Sequence, residues 1–427
     1  MRLLLAAILF FTLVLLGLIT LRGELILLSL PLAVYIGAAI IFIPAAIKLN
    51  ITREIDPSRV IHGEHVNVKV RLHNGGDNLR EAIIEDKIPA LVKVMDGNYS
   101  LITDLSPNET LELDYKIEAK RGIHFIPGIK VISGDPFGLF QLNVTYPNEG
   151  EVKVLPRSPR IKNIPVRPDI TKGNSGIFPS RKGGRGIEFY NVREYQPGDS
   201  LNIINWLVSA RGYDRLFSNE FQMEKTADFW LILDARQRSD FKFNGESLFE
   251  IMVEITAAIA QSLLHTGNRV GLLIYGGFLD WTYLGHGKKQ REKILMALTK
   301  AKSGESRIFE KLENLPTRIF PPRSQIIFIS PIHSEDYQFL SSIKARSYQV
   351  LCISPDPITF ELGVTQSVDR DNPGARLAMV ERRFLLSRLR YSGIQVMNID
   401  ACLPVKISLG HIPAVIFHRE KIIRSIL

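Results

Sequence analysis

The chain holds only 2 cysteines in 427 residues, Cys352 and Cys402, and no CxxC pair. That excludes a disulfide framework and a thiolate zinc site, and fits a reducing compartment. No GxxxxGK[ST] motif occurs, so the chain lacks a P-loop. Charge is missing from two long stretches: Leu3–Leu21 and Leu25–Ile47 contain no Asp, Glu, Lys or Arg. As a helix, each is long enough to cross the roughly 30 Å hydrocarbon core of a bilayer. A secretory signal has a shorter apolar core, a small-residue cleavage site and then a polar chain. Here only Arg22-Gly23-Glu24 separates one apolar run from the next.

The expectation is therefore a transmembrane helical hairpin over residues 1–48, a multi-pass anchor in the cell membrane. Pro31 and Pro44 in the second span are tolerable there. Arg2, Lys48 and Arg53 flank the ends and Arg22 the loop, so the positive-inside bias places both ends, and the large C-terminal part, in the cytoplasm. The sequons at Asn98, Asn108 and Asn143 would matter only in a secreted chain. Elsewhere charge is ample: 23% charged and 45% hydrophobic residues exclude a disordered protein. The net charge of +9 suits nucleic acid, an anionic membrane surface or an acidic partner.

Residues 49–157 read as short alternating strands. VNVKVRLHN puts Val66, Val68, Val70 and Leu72 on one face, and LELDYKIEA does the same with Leu111, Leu113, Tyr115 and Ile117. Asn74-Gly75-Gly76, Asp96-Gly97-Asn98 and Ser106-Pro107-Asn108 supply turns, so the expectation is an all-β immunoglobulin-like sandwich. The stretch Lys120–Phe140 is expected to form a further hairpin ending in a Pro-Gly corner. Residues 158–226 open on a Pro, Gly and basic linker that includes RKGGRG, Arg181–Gly186. From residue 227 to 427, apolar strands alternate with helices: FWLILD, NRVGLLIYG, SQIIFIS, YQVLCIS and IQVMNID are the strands. That order indicates a mostly parallel sheet covered on both faces, an α/β domain of Rossmann type.

Between linker and sheet lies EYQPGDSLNIINWLVSARG. Pro197 and Gly198 suit the centre of a type II turn, Asp199 or Ser200 a helix cap, and Gly212 a helix end. Ile203, Trp206 or Leu207, and Ala210 fall at helical spacing, which makes Trp206 either core or an exposed anchor. No nucleophile here pairs with a base, because Ser209 has no histidine in sequence reach.

The motif GRGIEFYNVREYQPGD, followed by INW and SAR, resembles the signature of the domain-of-unknown-function-58 family. The resemblance extends to the two N-terminal spans and to GDPFGLF in the β region. Where family members often carry arginines after the PGD and a basic residue after the tryptophan, this chain has Asn202, Ile203 and Leu207. The resemblance implies a C-terminal von Willebrand factor A-like domain and a membrane-anchored, non-enzymatic interaction or adaptor protein. It further implies an AAA+ ATPase of the MoxR type as partner, with protein clients. The docking residues expected on that basis are Arg193, Tyr195, Pro197, Gly198, Asp199, Trp206 and Arg211. A von Willebrand A fold also implies an adhesion-site motif, DxSxS, whose oxygens suit Mg²⁺. This chain reads Asp234-Ala235-Arg236-Gln237-Arg238, so the expectation is no metal, no cofactor, and an Asp234 paired with Arg236 or Arg238. An envelope-facing structural or adhesion protein is the alternative. Nucleic-acid binding ranks third, because the basic RKGGRG and ERRFLLSRLR runs also suit an anionic leaflet.

Overall fold

The structure, a computed structural model, describes residues 2–42, 46–161, 166–167, 183–211, 215–222, 227–306, 319–322, 324–365, 373–410 and 415–416. It divides into two compact units, Met1–Leu155 and Pro156–Leu427.

In the first unit, the charge-free runs form α1 (Arg2–Thr20) and α2 (Gly23–Phe42). Leu21 turns the chain with a φ of 52°, and the Arg22 amide donates to the Gly17 carbonyl at 3.2 Å. Gly17 is needed for the helix crossing, since a Cβ there would lie 2.7 Å from Ile26 Cγ1. Leucines, isoleucines and phenylalanines cover the outside of both helices. Exposed apolar helices of this length suggest a membrane anchor. The helix Leu248–His265 also has the length and composition of a span, but most of its residues are buried inside the second unit, as in a core helix.

The β region that follows contains β1 (Leu49–Asp56), β2 (Arg59–Ile61), β3 (Val66–Asn74), β4 (Leu79–Asp86), β5 (Val92–Gly97), β6 (Ser100–Leu105), β7 (Thr110–Ala119), β8 (Gly122–Gly134) and β9 (Gln141–Leu155). They form two sheets, ordered β1-β3-β7-β5 and β2-β9-β8-β4-β6. Alternation sets the faces: Val66, Val68, Val70 and Leu72 point inward beside Leu113, Tyr115 and Ile117. They share one core with Leu79, Ile84, Ile129, Val131 and Val152 of the other sheet. The Lys120–Phe140 stretch supplies the first strand and the Pro-Gly turn of an antiparallel hairpin whose second strand is β9. Most of it is the single strand β8, and a bulge between Ile126 and Gly128 accommodates Pro127, which has no amide to donate. GDPFGLF is the turn into β9, where Asp135 accepts from the Phe137 and Phe140 amides at 2.9 and 2.5 Å.

A buried polar group crosses this core. Arg53 donates to Asp86 Oδ1 at 2.5 Å, and the Tyr115 hydroxyl donates to Asp86 Oδ2 at 2.6 Å. Burial pushes the Asp86 carboxyl up, against the opposing pull of Tyr115 and Arg53.

In the second unit, β10 (Val166–Arg167) pairs with a short strand near the C-terminus. The strand β11 (Gly183–Glu194) forms an antiparallel ribbon with β12 (Phe217–Gln222) around α3 (Trp206–Ser209). Most of the basic linker lies outside the described residues. Its last residues, Gly183–Gly186, open β11. Then come β13 (Asp228–Ala235), the hairpin of β14 (Lys242–Phe243) and β15 (Glu246–Ser247), α4 (Leu248–His265), β16 (Arg269–Gly276), β17 (Leu279–Gly285) and α5 (Gly287–Lys300). The chain continues through β18 (Gln325–Ile329), α6 (Asp336–Ala345), β19 (Gln349–Pro355), α7 (Pro357–Thr365), α8 (Pro373–Tyr391), β20 (Gln395–Ile399), α9 (Val405–Gly410) and β21 (Val415–Ile416), the partner of β10.

The main sheet runs β17-β16-β13-β18-β19-β20 and is parallel except for the edge strand β17. Every residue of β13 is buried, the mark of a central parallel strand covered on both faces. Phe229, Leu231 and Leu233 pack in one layer with α4 and α5, and Trp230 and Ile232 in the other with α6 and α8. Counting from β13, the spatial order is 3-2-1-4-5-6, so the connections reverse direction between β13 and β18. In open α/β sheets ligands bind outside the carboxyl ends of the strands at this switch point.

Candidate functional site

Two constellations stand out in the second unit: the signature segment, and a polar cluster at the switch point.

In the signature segment the expected turn is present. Gly198 has a φ of 108°, and the Asp199 amide donates to the Gln196 carbonyl at 3.0 Å. Asp199 caps no helix. Its carboxylate receives both Arg193 terminal nitrogens at 2.7 Å each, the Gln196 amide at 3.0 Å and the Ser218 hydroxyl at 3.2 Å. The hydrogen bond from Arg193 leads in holding the Asp199 carboxyl down at about 2. Arg193 is thus engaged inside the segment rather than facing outward. The real cap is Asn205, whose Oδ1 accepts from the Val208 amide at 3.1 Å while its Nδ2 donates to Asn219 at 2.7 Å. Ser209 Oγ accepts from the Phe217 amide at 2.8 Å, a structural role.

The helix is shorter than its apolar spacing implied. A 3₁₀ turn at Leu201–Ile203 ends where Ile204 bridges to Ser218, and α3 is a single turn. No apolar stripe therefore forms, and Trp206 is not core: it is 64% exposed, beside Leu207 at 70%. Leu201 is exposed too. Arg211 is exposed and, among the described residues, its side chain makes no hydrogen bond or ion pair. Tyr195 is tied to the ribbon by its amide, which donates to Leu216 at 2.8 Å. Gly212 lies outside the described residues.

At the switch point, Asp234 is the last residue but one of β13 and is paired with Arg236, as its sequence context suggested. Arg236 Nε donates to Asp234 Oδ1 at 2.8 Å and Nη2 to Oδ2 at 2.7 Å. The same guanidinium donates to Asp336 at 2.8 and 2.9 Å. All three side chains are at least 98% buried. Ser239 and Ser330 each donate a hydroxyl to Asp234 Oδ2 at 2.7 Å, and His333 Nε2 lies 3.1 Å from Ser239 Oγ. Burial alone would raise the Asp234 carboxyl. The charge and hydrogen bonds of Arg236, with the two serines, outweigh it and hold the group below the usual range. Burial lowers the His333 imidazole, against the pull of Asp336 and Asp234. Arg238 closes the outer side, 2.7 Å from Glu335 and 3.3 Å from Asp336.

Ile332, in the loop between Ser330 and His333, has a φ of 59°. For a β-branched residue this is a true outlier that costs on the order of 1–3 kcal/mol. The Ser330 hydroxyl accepts from its amide at 3.0 Å, which helps to hold it there. The cluster is thus two buried carboxylates and two serine hydroxyls arranged around a guanidinium. Among the described residues, no group of three or more His, Cys, Asp or Glu is placed to hold a metal ion.

Sequence reasoning missed two parts of this rim. Asp336, the first residue of α6, lies 100 positions from Arg236 and has no local signal. Arg382, read as one charge of a basic run, is buried: it donates to the Pro331 carbonyl and Ser354 Oγ, both at 2.8 Å, and reaches Asp356 at 3.3 Å. The carboxyl ends of β18 and β19 are tied together through this side chain.

Residues 191–391 match the family model described as protein of unknown function DUF58. The uncharacterized protein YeaD of Bacillus subtilis (strain 168) is 25% identical over 252 residues, 58% of this chain and 60% of that protein. Among solved structures, a FixG-related protein from Vibrio parahaemolyticus aligns with 25% of this chain and 95% of its own, at 15% identity and a TM-score of 0.17. An uncharacterized membrane spanning protein from Vibrio fischeri aligns with 42% of this chain and 92% of its own, at 15% identity and a TM-score of 0.15. From the braced turn, through the guanidinium-centred cluster, to the end of α8, this part of the chain is similar to the DUF58 family.

Proposed function

We propose that the protein is a membrane-anchored, non-enzymatic adaptor whose second unit docks a partner through the signature segment. The anchor is the α1–α2 hairpin crossing the membrane twice, with the rest of the chain in the cytoplasm. On this reading the β region is an immunoglobulin-like sandwich and the second unit a von Willebrand factor A-like domain. The strand order with an antiparallel edge strand supports the second assignment. Asp234 then occupies the adhesion-motif position, and the Arg236 guanidinium stands where a divalent ion would sit, so docking needs no metal.

The observation that carries the proposal is exposed apolar surface on a rigid frame. Trp206 and Leu207 project from one helical turn held by the Asn205 cap and by the Arg193–Asp199 pair. Tryptophan and arginine are the side chains that anchor interfaces most often. Arg211 offers a cation to acidic groups of the partner, while Arg193, Tyr195, Pro197, Gly198 and Asp199 fix the frame. The partner proposed is an AAA+ ATPase of the MoxR type, acting with the protein on client proteins during assembly or maturation. The test is recovery of a co-encoded ATPase from native membranes by the tagged full-length chain. Trp206→Ala with Arg211→Ala should lose the ATPase while the circular dichroism spectrum is retained. Equal recovery would leave the segment as architecture only.

A further inference from the structure

The signature segment does not use the arginine-rich helix α8, whose outer face has a distinct pattern. Leu377, Val380, Phe384 and Tyr391 recur at i, i+3, i+7 and i+14, which confines them to an arc of about 60° at 3.6 residues per turn. They are large apolar side chains in the open: Phe384 is 72% and Tyr391 92% exposed. The helix already buries Arg382, Leu386 and Leu389 on the side of the sheet, about 180° away. The outer stripe is therefore not a core face left bare by a misplaced helix.

Charge accompanies the stripe. Arg376, Arg383 and Arg390 form a heptad-spaced row along one flank, and Arg388 lies at the other, against a single acid, Glu381. Arg388 stacks over the Tyr337 ring at 4.1 Å, and Arg390 reaches the Val396 carbonyl at 3.4 Å. Arg376 and Arg383 make no ion pair among the described residues. From Leu377 to Tyr391 the stripe runs about 21 Å.

We propose that this face of α8 lies on a bilayer containing anionic phospholipid. Phe384, Leu377 and Val380 enter the headgroup boundary, and Arg376 and Arg383 engage lipid phosphates. An apolar arc beside a basic row on one helix is the pattern of an interfacial helix. The same polypeptide carries two apolar helices at its N-terminus, so a bilayer is at hand as the occupant. The chain's own C-terminal residues 417–427 match the face poorly, since Arg419, Lys421 and Arg424 outnumber their one acid, Glu420. The inference rests on the membrane anchor alone and not on the adaptor reading.

The test uses the full-length chain in nanodiscs of phosphatidylcholine, with or without phosphatidylglycerol. Cys402→Ser removes the exposed thiol, Cys352 is buried, and Phe384→Cys or Val380→Cys takes an environment-sensitive dye. In the anionic discs the dye emission should shift to the blue and be quenched by nitroxide on the lipid chains. High salt should reverse both effects. Each basic side chain near an anionic surface is worth roughly a factor of five, so Arg376→Gln with Arg383→Gln should lower the docked-to-free ratio about 25-fold. Identical spectra in the two kinds of disc would overturn the proposal. So would a blue shift that nitroxide lipid fails to quench and that grows with protein concentration, because a second protein would then be the cover.

Discussion

Replacing Arg236 with alanine isolates the energetics of the switch-point cluster. The substitution deletes the charge-assisted hydrogen bonds from the guanidinium to Asp234 and Asp336 and leaves both carboxylates buried without their shared counter-charge. Removing one partner of a buried pair costs about 3–5 kcal/mol. A stranded carboxylate escapes by taking a proton, and each unit by which its pKa rises costs about 1.36 kcal/mol. That escape fixes the sign of the pH dependence. In the variant a folded-state carboxyl titrates above its unfolded value, so stability is gained as pH falls. In the wild type Asp234 is held low, so its contribution is present above the unfolded value and is lost in acid. The penalty of Arg236→Ala should therefore shrink as the pH falls from 7 to 5. All three tryptophans lie in the second unit, so their emission during denaturant unfolding of the detergent-solubilised chain reports that unit alone. A loss below about 1 kcal/mol at pH 7, with a pH slope like that of the wild type, would refute the reasoning.

Other substitutions probe the remaining claims. Arg236→Ser with Arg238→Ser rewrites the strand end as Asp-x-Ser-x-Ser; if the fold is von Willebrand A-like, Mg²⁺ at a hundredfold its Kd should stabilise this variant by about 2.7 kcal/mol and leave the wild type unmoved. Calorimetry showing no Mg²⁺ response in the variant would count against that fold assignment. Trp206→Ala should change stability by no more than about 0.5 kcal/mol, as for other surface sites, in a denaturant titration. A loss of several kcal/mol would mean that the ring packs inside after all. Tyr115→Phe strips a donor from the buried Asp86 carboxylate and should cost the β region about 1–3 kcal/mol, read by hydrogen exchange in β3 and β7.

These predictions depend on features that the sequence revealed unevenly. The central strands were legible because a buried parallel strand needs a continuous apolar run, as in Phe229–Leu233, and the two N-terminal helices because each spans a long run without charge. The Asp234–Arg236 pair was legible because the two residues are local and the motif serines were absent. Its other half was not: Ser239, Ser330 and Asp336 converge only once β13 and β18 pair in register. Helical spacing misled at Trp206, because the pairing of Ile204 and Asn205 with β12 interrupts the helix before a stripe can form. Composition misled at Arg382. In a basic run, burial is decided by the carbonyls and hydroxyls that the neighbouring strand ends present, and those belong to other parts of the chain.

The central claim is that Trp206 touches an ATPase partner. A photoreactive benzoylphenylalanine in place of Trp206, irradiated in native membranes, tests this most directly, with the same residue at exposed Phe125 as control. The account predicts a covalent adduct at position 206 whose peptides belong to an AAA+ ATPase, and none of that adduct at position 125. Adducts only to lipid or to the chain itself, or the same ATPase adduct from both positions, would contradict it.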